Sequence, residues 1–186
     1  MRIVTGKYKG RHFDIPRSFK ARPTTDFAKE NIFNVLIQYV DFEGATALDL
    51  FSGTGSISLE LLSRGCERVV SVEMDRDHHR FIVECSKKLS IPNSQFSILR
   101  GDVFRFLKSC KQQFDFIFAD PPYALKELPQ LPDLIFGNSP LTSHPSPLLI
   151  PDGVFVLEHG KDYDFSQHPH FVEHRSYGSV NFSLFK

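Results

Sequence analysis

The sequence predicts an α/β protein, a doubly wound and mostly parallel sheet that closes with an antiparallel hairpin. Three observations carry this. From residue 45 onward, short apolar runs alternate with stretches of helical period, the pattern of repeated β-α units. The first run, residues 45–50, leads into a glycine-rich turn within Asp49-Leu-Phe-Ser-Gly-Thr-Gly-Ser-Ile-Ser58 and then a helix. The fourth, Phe114–Ala119, ends in Asp120-Pro121-Pro122-Tyr123, an acid and an aromatic ring at the carboxyl end of a strand, where open α/β sheets bind ligands.

Residues 1–5 and 11–15 read as short strands joined by a glycine-bounded turn over 6–10, a small N-terminal β-hairpin followed by a linker to residue 21. The hairpin interleaves Arg2, Lys7, Lys9 and Arg11 with Tyr8, which suits an RNA backbone and stacked bases as well as it suits a solvated surface. The second unit spans 22–186. Thr24, Thr25 or Asp26 can cap a helix running to about residue 40, with Phe27, Ile32, Phe33, Leu36 and Ile37 as its buried face. Arg22 stands just before that helix, where the macrodipole disfavours positive charge. It is a candidate for a substrate phosphate or a neighbouring carboxylate, with a solvated arginine as the plain alternative. Strands follow at 45–50, 68–73, 95–99 and 114–119, and helices at 54–64, 76–89 and 103–109. Residues 125–151 carry six prolines that break any long helix, and 138–147 read as a polar loop. A fifth strand covers 153–158. The last two, 171–176 and 180–185, are separated by Tyr177-Gly178-Ser179, so one of them must run antiparallel. This is the Rossmann-like arrangement of class I methyltransferases.

Composition bounds the function. The 186 residues are 41% hydrophobic and 24% charged, ordinary for one soluble domain with a small extension. Nineteen Phe and no Trp predict a phenylalanine-rich core. Formal net charge is zero, but residues 1–29 carry eight Lys and Arg against two Asp, a net +6 on a body of −6. Cys66, Cys85 and Cys110 lack metal or redox spacing and read as buried thiols of a reducing compartment. His78, His79, His168 and His170 lack partners at ligand spacing and read as surface residues, so no metal is expected. No apolar run has transmembrane length and no apolar signal segment follows the basic start, so the expected location is the cytoplasm.

The candidate site lies in the turns. Gly53 and Gly55 let the backbone pass close to a ligand, and Glu73 ends the second strand at the offset of a ribose-binding carboxylate. A dinucleotide fingerprint would place glycine where Ser58 stands. Asp49 would repel a pyrophosphate and attract a cation. The ligand that fits is a nucleoside with positive charge and no phosphate, S-adenosylmethionine. Asp102 ends the third strand as a helix cap and can also accept from an adenine amine. In the Asp120 turn, two prolines stiffen the chain and remove donors. That leaves oxygens for an exocyclic amine and the Tyr123 ring to stack on its base.

Gly6-Lys-Tyr-Lys-Gly-Arg11, Arg22-Pro-Thr-Thr-Asp-Phe-Ala-Lys-Glu-Asn-Ile-Phe-Asn-Val-Leu36, the segment from Asp49 to Gly65, Val72-Glu-Met-Asp75 and the Asp120 turn together resemble the RsmD family, bacterial 16S rRNA guanine-N2 methyltransferases. The likeness covers nearly the whole chain, and its N-terminal segments are the specific part. It implies that Asp49, Phe51, Ser52, Gly53, Thr54, Gly55, Ser56, Glu73, Met74, Asp102 and Val103 hold S-adenosylmethionine. Asp120, Pro121 and Tyr123 would then hold the reacting guanine, with Pro122 beside them. It also implies 16S rRNA within small-subunit assembly particles as substrate, and a monomer. The family carries arginine where this chain has Phe27. Other amino methyltransferases, acting on adenine or on protein glutamine, use similar turns, but the basic arm argues against glutamine and the N-terminal motifs against DNA adenine. A nicotinamide oxidoreductase is disfavoured by Ser58 and Asp49, and a non-catalytic RNA binder by the intact turns.

Overall fold

The computed structural model describes residues 1–19, 25–138 and 147–186. Strands β1 (Thr46–Leu50), β2 (Arg68–Glu73), β3 (Phe96–Arg100), β4 (Phe114–Ala119) and β5 (Leu149–His159) run parallel. β7 (Val180–Phe185) joins β5 antiparallel and carries β6 (Phe171–Tyr177) on its outer side. The sheet order is β3-β2-β1-β4-β5-β7-β6. The chain reverses direction across the sheet between β1 and β4, which opens the ligand crevice at their carboxyl ends.

The central strands are apolar on both faces because both faces are covered. One face buries Phe42, Phe116, Phe118 and Phe182 against α1 (Asp26–Leu36), α2 (Ser56–Ser63) and α3 (Arg76–Lys88). The other buries Phe155 and Phe185 against α4 (Val103–Ser109) and α5 (Leu131–Phe136). The core is phenylalanine-rich, as the composition predicts.

Three expectations change. Helix α1 stops at Leu36, and its buried face is Ala28, Lys29, Ile32, Phe33 and Leu36. Phe27 and Ile37 lie off that stripe and are 66% and 61% exposed; Phe27 rests its edge on Tyr177, with ring centroids 6.4 Å apart. The proline-rich stretch after residue 125 forms no long helix, as expected; it holds a 3-10 turn, Leu128–Gln130, and the six-residue α5, whose Pro132 sits in the first turn where a missing N–H costs nothing. The four histidines read as surface residues are half-buried: His170 stacks on Phe136 at 3.9 Å and His78 lies edge-on to Phe19 at 4.3 Å.

The N-terminal hairpin is present in outline, as one antiparallel bridge between Arg2 and His12 with Ile3 N–H to the Arg11 carbonyl at 3.0 Å. It does not extend into two full strands because its other donors turn to α2. Val4 and Thr5 N–H donate to the Glu60 carboxylate at 2.7 and 3.0 Å, and Lys7 N–H to the Ser63 carbonyl at 2.7 Å. Gly6 makes this approach possible. Its φ is +83°, and a Cβ there would sit 1.7 Å from the Ser63 oxygen. Arg22, and most of the 138–147 loop, lie outside the described residues. Among the described residues no helix is long and apolar enough to cross a membrane.

Candidate active site

The strands end in register, so their acidic residues gather along one edge. Leu50 pairs with Val72 on one side and Ala119 on the other, and Ala119 pairs with Leu157. The next residues outward are Glu73, Asp120 and Glu158. Asp49 shares the face of Ala47, as Asp120 shares that of Phe116 and Phe118, by strand alternation.

The turn after β1 is braced from inside. Phe51 adopts φ +58°, and Ser52 Oγ donates to the Asp49 carbonyl at 2.7 Å while accepting from Ser71 Oγ at 2.7 Å. Ser52, Thr54, Gly55 and Ser56 are buried and brace the turn from within, while Gly53 is half-buried. Gly55 has φ +73°, and a Cβ there would come within 3.0 Å of Ile82, so the turn packs directly on α3. Glu73 pins the other side: its carboxylate accepts from Gly53 N–H and from Asp75 N–H, each at 2.7 Å.

Ser58, the departure from the dinucleotide fingerprint, has a structural purpose. Its N–H and hydroxyl donate to Asp49 Oδ2 at 3.0 and 2.5 Å. Asp49 is buried, and burial pushes its pKa up to about 7 against the pull of the Ser58 bonds. Asp102 caps α4 by accepting from Arg105 N–H at 2.9 Å, with Val103 buried beneath it. Phe104 meets Phe51 edge to face, with centroids 6.2 Å apart, closing the wall between these turns. Met74 is exposed beside Glu73.

Around the second turn, Pro121 is buried while Pro122 and Tyr123 are exposed. Tyr123 is held at two points. Its hydroxyl donates to Glu158 Oε1 at 3.0 Å, and its carbonyl accepts from the Tyr163 hydroxyl at 2.9 Å. Gly160 lies against the ring, leaving 3.3 Å between a Cβ there and Tyr123 Cδ2. Burial holds the Asp120 carboxyl well above the usual carboxylate range, and the nearby Glu158 and Asp49 raise it further. Burial, Glu158 and Asp120 also raise the Tyr123 hydroxyl. Buried His159 donates from Nδ1 to the Gly160 carbonyl and accepts from Ser183 at Nε2, both at 2.8 Å, bracing the end of β5.

Sequence reasoning overlooked Glu158, although an acid one strand over from Asp120 was there to be read from Gly153-Val-Phe-Val-Leu-Glu158. It also overlooked Lys29, counted with the basic arm but wholly buried. Its Nζ donates to the Arg2 carbonyl at 2.6 Å and to Ser56 Oγ at 2.9 Å, within 4.0 Å of Glu60. Burial lowers its pKa while Glu60 and Asp26 oppose that. Arg2 itself stands 3.6 Å from Asp26. Lys7, Lys9 and Arg11 are exposed, and Lys7 lies over the Tyr8 ring at 5.2 Å. The turn that carries Lys7, Tyr8 and Lys9 docks at Ser63, the far end of α2, about 12 Å along the helix from the glycine turn. These residues therefore lie at the opposite end of α2 from the glycine turn.

A family model described as "Conserved hypothetical protein 95" matches residues 1–186. Ribosomal RNA small subunit methyltransferase D of Haemophilus influenzae is 30% identical over 169 residues, 85% of this chain and 86% of that one. The chain belongs to the RsmD family. A hypothetical protein of Thermus thermophilus superposes with a TM-score of 0.81 at 28% identity, covering 100% of this chain and 99% of the other. A T. thermophilus 16S rRNA N2 methyltransferase, RsmC, in complex with AdoMet and guanosine, superposes with a TM-score of 0.67 at 18% identity, over 90% of this chain and 44% of that one. The fold is thus that of class I S-adenosylmethionine-dependent methyltransferases, and as an RsmD-family member the protein is related to rRNA methyltransferases. Among the described residues no group of His, Cys, Asp and Glu could hold a metal ion.

Proposed function

We propose that the protein transfers a methyl group from S-adenosylmethionine to the exocyclic N2 amine of a guanine in 16S rRNA. The observation that carries this is the half-buried Asp120 at the end of β4, beside Glu158, with the Tyr123 ring fixed next to both. A rigid acceptor with a tethered ring suits a flat base bearing an amine.

The residues around the glycine turn suit this cofactor. In this reading half-buried Gly53 is where the backbone meets the ligand, Glu73, which also accepts from Gly53 N–H, takes the ribose hydroxyls, and Asp102, which caps α4, takes the adenine amine. The acids along this edge favour a cation over a phosphate. S-adenosylmethionine supplies an electrophilic methyl group on a sulfonium. The chain's own part is to align and dispose the nucleophile, worth up to roughly 7–11 kcal/mol in well-oriented systems. Guanine's amine is a poor nucleophile because its lone pair is delocalised into the ring. Hydrogen bonds from the amine to Asp120 and the Pro121 carbonyl favour a tetrahedral nitrogen. The proton leaves after transfer, so no strong base is required. A base drawn from its stack would regain stacking on Tyr123.

RNA approaches along the exposed Lys7, Lys9 and Arg11, at a distance from the target base, with small-subunit assembly particles in the cytoplasm as the setting and a monomer as the acting form. Single-turnover methylation of small-subunit particles tests this site. Asp120→Ala should lose most turnover with cofactor affinity nearly unchanged, and Asp120→Asn, which keeps an acceptor oxygen, should retain more. Wild-type rates from Asp120→Ala would sink the proposal.

A further inference from the structure

We infer that Glu158 is a specificity-determining residue of this pocket, accepting the N1–H of the target base and so selecting guanine over purines that lack that hydrogen. The inference rests on the guanine-N2 reading and adds the atom by which the base is recognised.

The placement follows from the sheet. Ala119 pairs with Leu157, so Asp120 and Glu158 lie one step further out on neighbouring parallel strands. Both side chains fall on the face of Phe116, Phe118, Val154 and Val156. Glu158 is 3% exposed, and Tyr123 donates to it at 3.0 Å. A buried carboxylate beside the half-buried Asp120 is costly, and such groups persist where they are used. Its pressure on Asp120, second only to burial, agrees with the closeness that the strand register gives the two groups.

The chemistry selects a ligand edge. Guanine's Watson–Crick edge presents the N1–H and the N2 amine side by side, two neighbouring donors. Adenine presents one amine beside an N1 acceptor. Two adjacent carboxylates match the first pattern and oppose the second. With Asp120 on the reacting amine, Glu158 faces N1. A carboxylate accepts several hydrogen bonds at once, so the N1–H bond coexists with the Tyr123 bond and with the other interactions Glu158 makes. The Tyr123 bond then aligns the stacking ring with the edge-reading acid.

The test uses the intact protein, tritiated S-adenosylmethionine and small-subunit particles from cells lacking the protein, with free nucleosides as competitors. The wild-type reaction should yield N2-methylguanosine. Guanosine should inhibit it at least about tenfold better than 2-aminopurine riboside, which keeps the amine and lacks the N1–H. Glu158→Gln offers N1 a donor as well as an acceptor and should bring that ratio near one. Tyr123→Phe removes the tether, leaves the acid, and should keep the ratio. If N2-methylguanosine does not form, the guanine-N2 reading and this inference fall together. If it forms but both nucleosides inhibit the wild type equally or not at all, or a folded Glu158→Gln keeps the wild-type ratio, the inference alone is overturned. The wild-type ratio decides even if Glu158→Gln does not fold.

Discussion

At the scale of single residues, two carboxylates behave in opposite ways. Glu73 accepts two backbone N–H bonds and serves the turn and the proposed ribose site together. Glu73→Ala should weaken S-adenosylmethionine binding by about 1.5–3 kcal/mol, measured by calorimetry; unchanged affinity in a folded variant would remove Glu73 from the site. Asp49 is buried with its pKa raised to about 7. An acid whose folded pKa lies above its unfolded value favours folding below the unfolded value and loses that contribution as pH rises toward 7. Ligand-free protein should therefore melt lower at pH 8 than at pH 5, and Asp49→Asn should shrink the difference. For a chain of this size each kcal/mol is worth about 2–4 °C, so a thermal melt resolves it. An unchanged difference would place the stability loss elsewhere. The residue types at these positions were legible in the sequence because strand ends and turn chemistry are local. That Asp49 is spoken for by Ser58, and Asp120 shadowed by Glu158, was not, because both depend on side chains meeting across elements.

At the scale of elements, α2 does two jobs. Its first turn carries the glycine loop, and its last turn receives the basic arm through Ser63 and Glu60. Deleting the arm would strip partners from buried Glu60 and Lys29, so point substitutions are the cleaner probe. Changing Lys7, Lys9 and Arg11 together to Ala should weaken RNA binding and lower its salt slope by about 0.7 for each phosphate no longer neutralised, with cofactor affinity unchanged. Equal RNA affinity and slope would make the arm a scaffold alone. Charge counting found the arm but misassigned Lys29, because composition cannot tell a cation held by Ser56 and Glu60 from one in water. Helical period likewise found α1 but put Phe27 and Ile37 on its buried stripe, since two offset stripes fit so short a helix.

At the scale of the molecule, the doubly wound sheet was legible because alternating β-α units with short turns leave few topologies. The short Tyr177-Gly178-Ser179 link forced the antiparallel closure that the β5-β7-β6 pairing displays. The sheet sets glycine turn, acid pair and tethered ring along one edge, with the basic arm docked at the far end of α2, an arrangement in keeping with the proposed reaction on a base drawn out of RNA. The most direct measurement is nucleoside mass analysis of 16S rRNA from small-subunit particles of cells lacking the protein, before and after incubation with purified protein and S-adenosylmethionine. We predict one added N2-methylguanosine, absent with Asp120→Ala; an added methyl on another nucleoside, or none, would contradict the assignment.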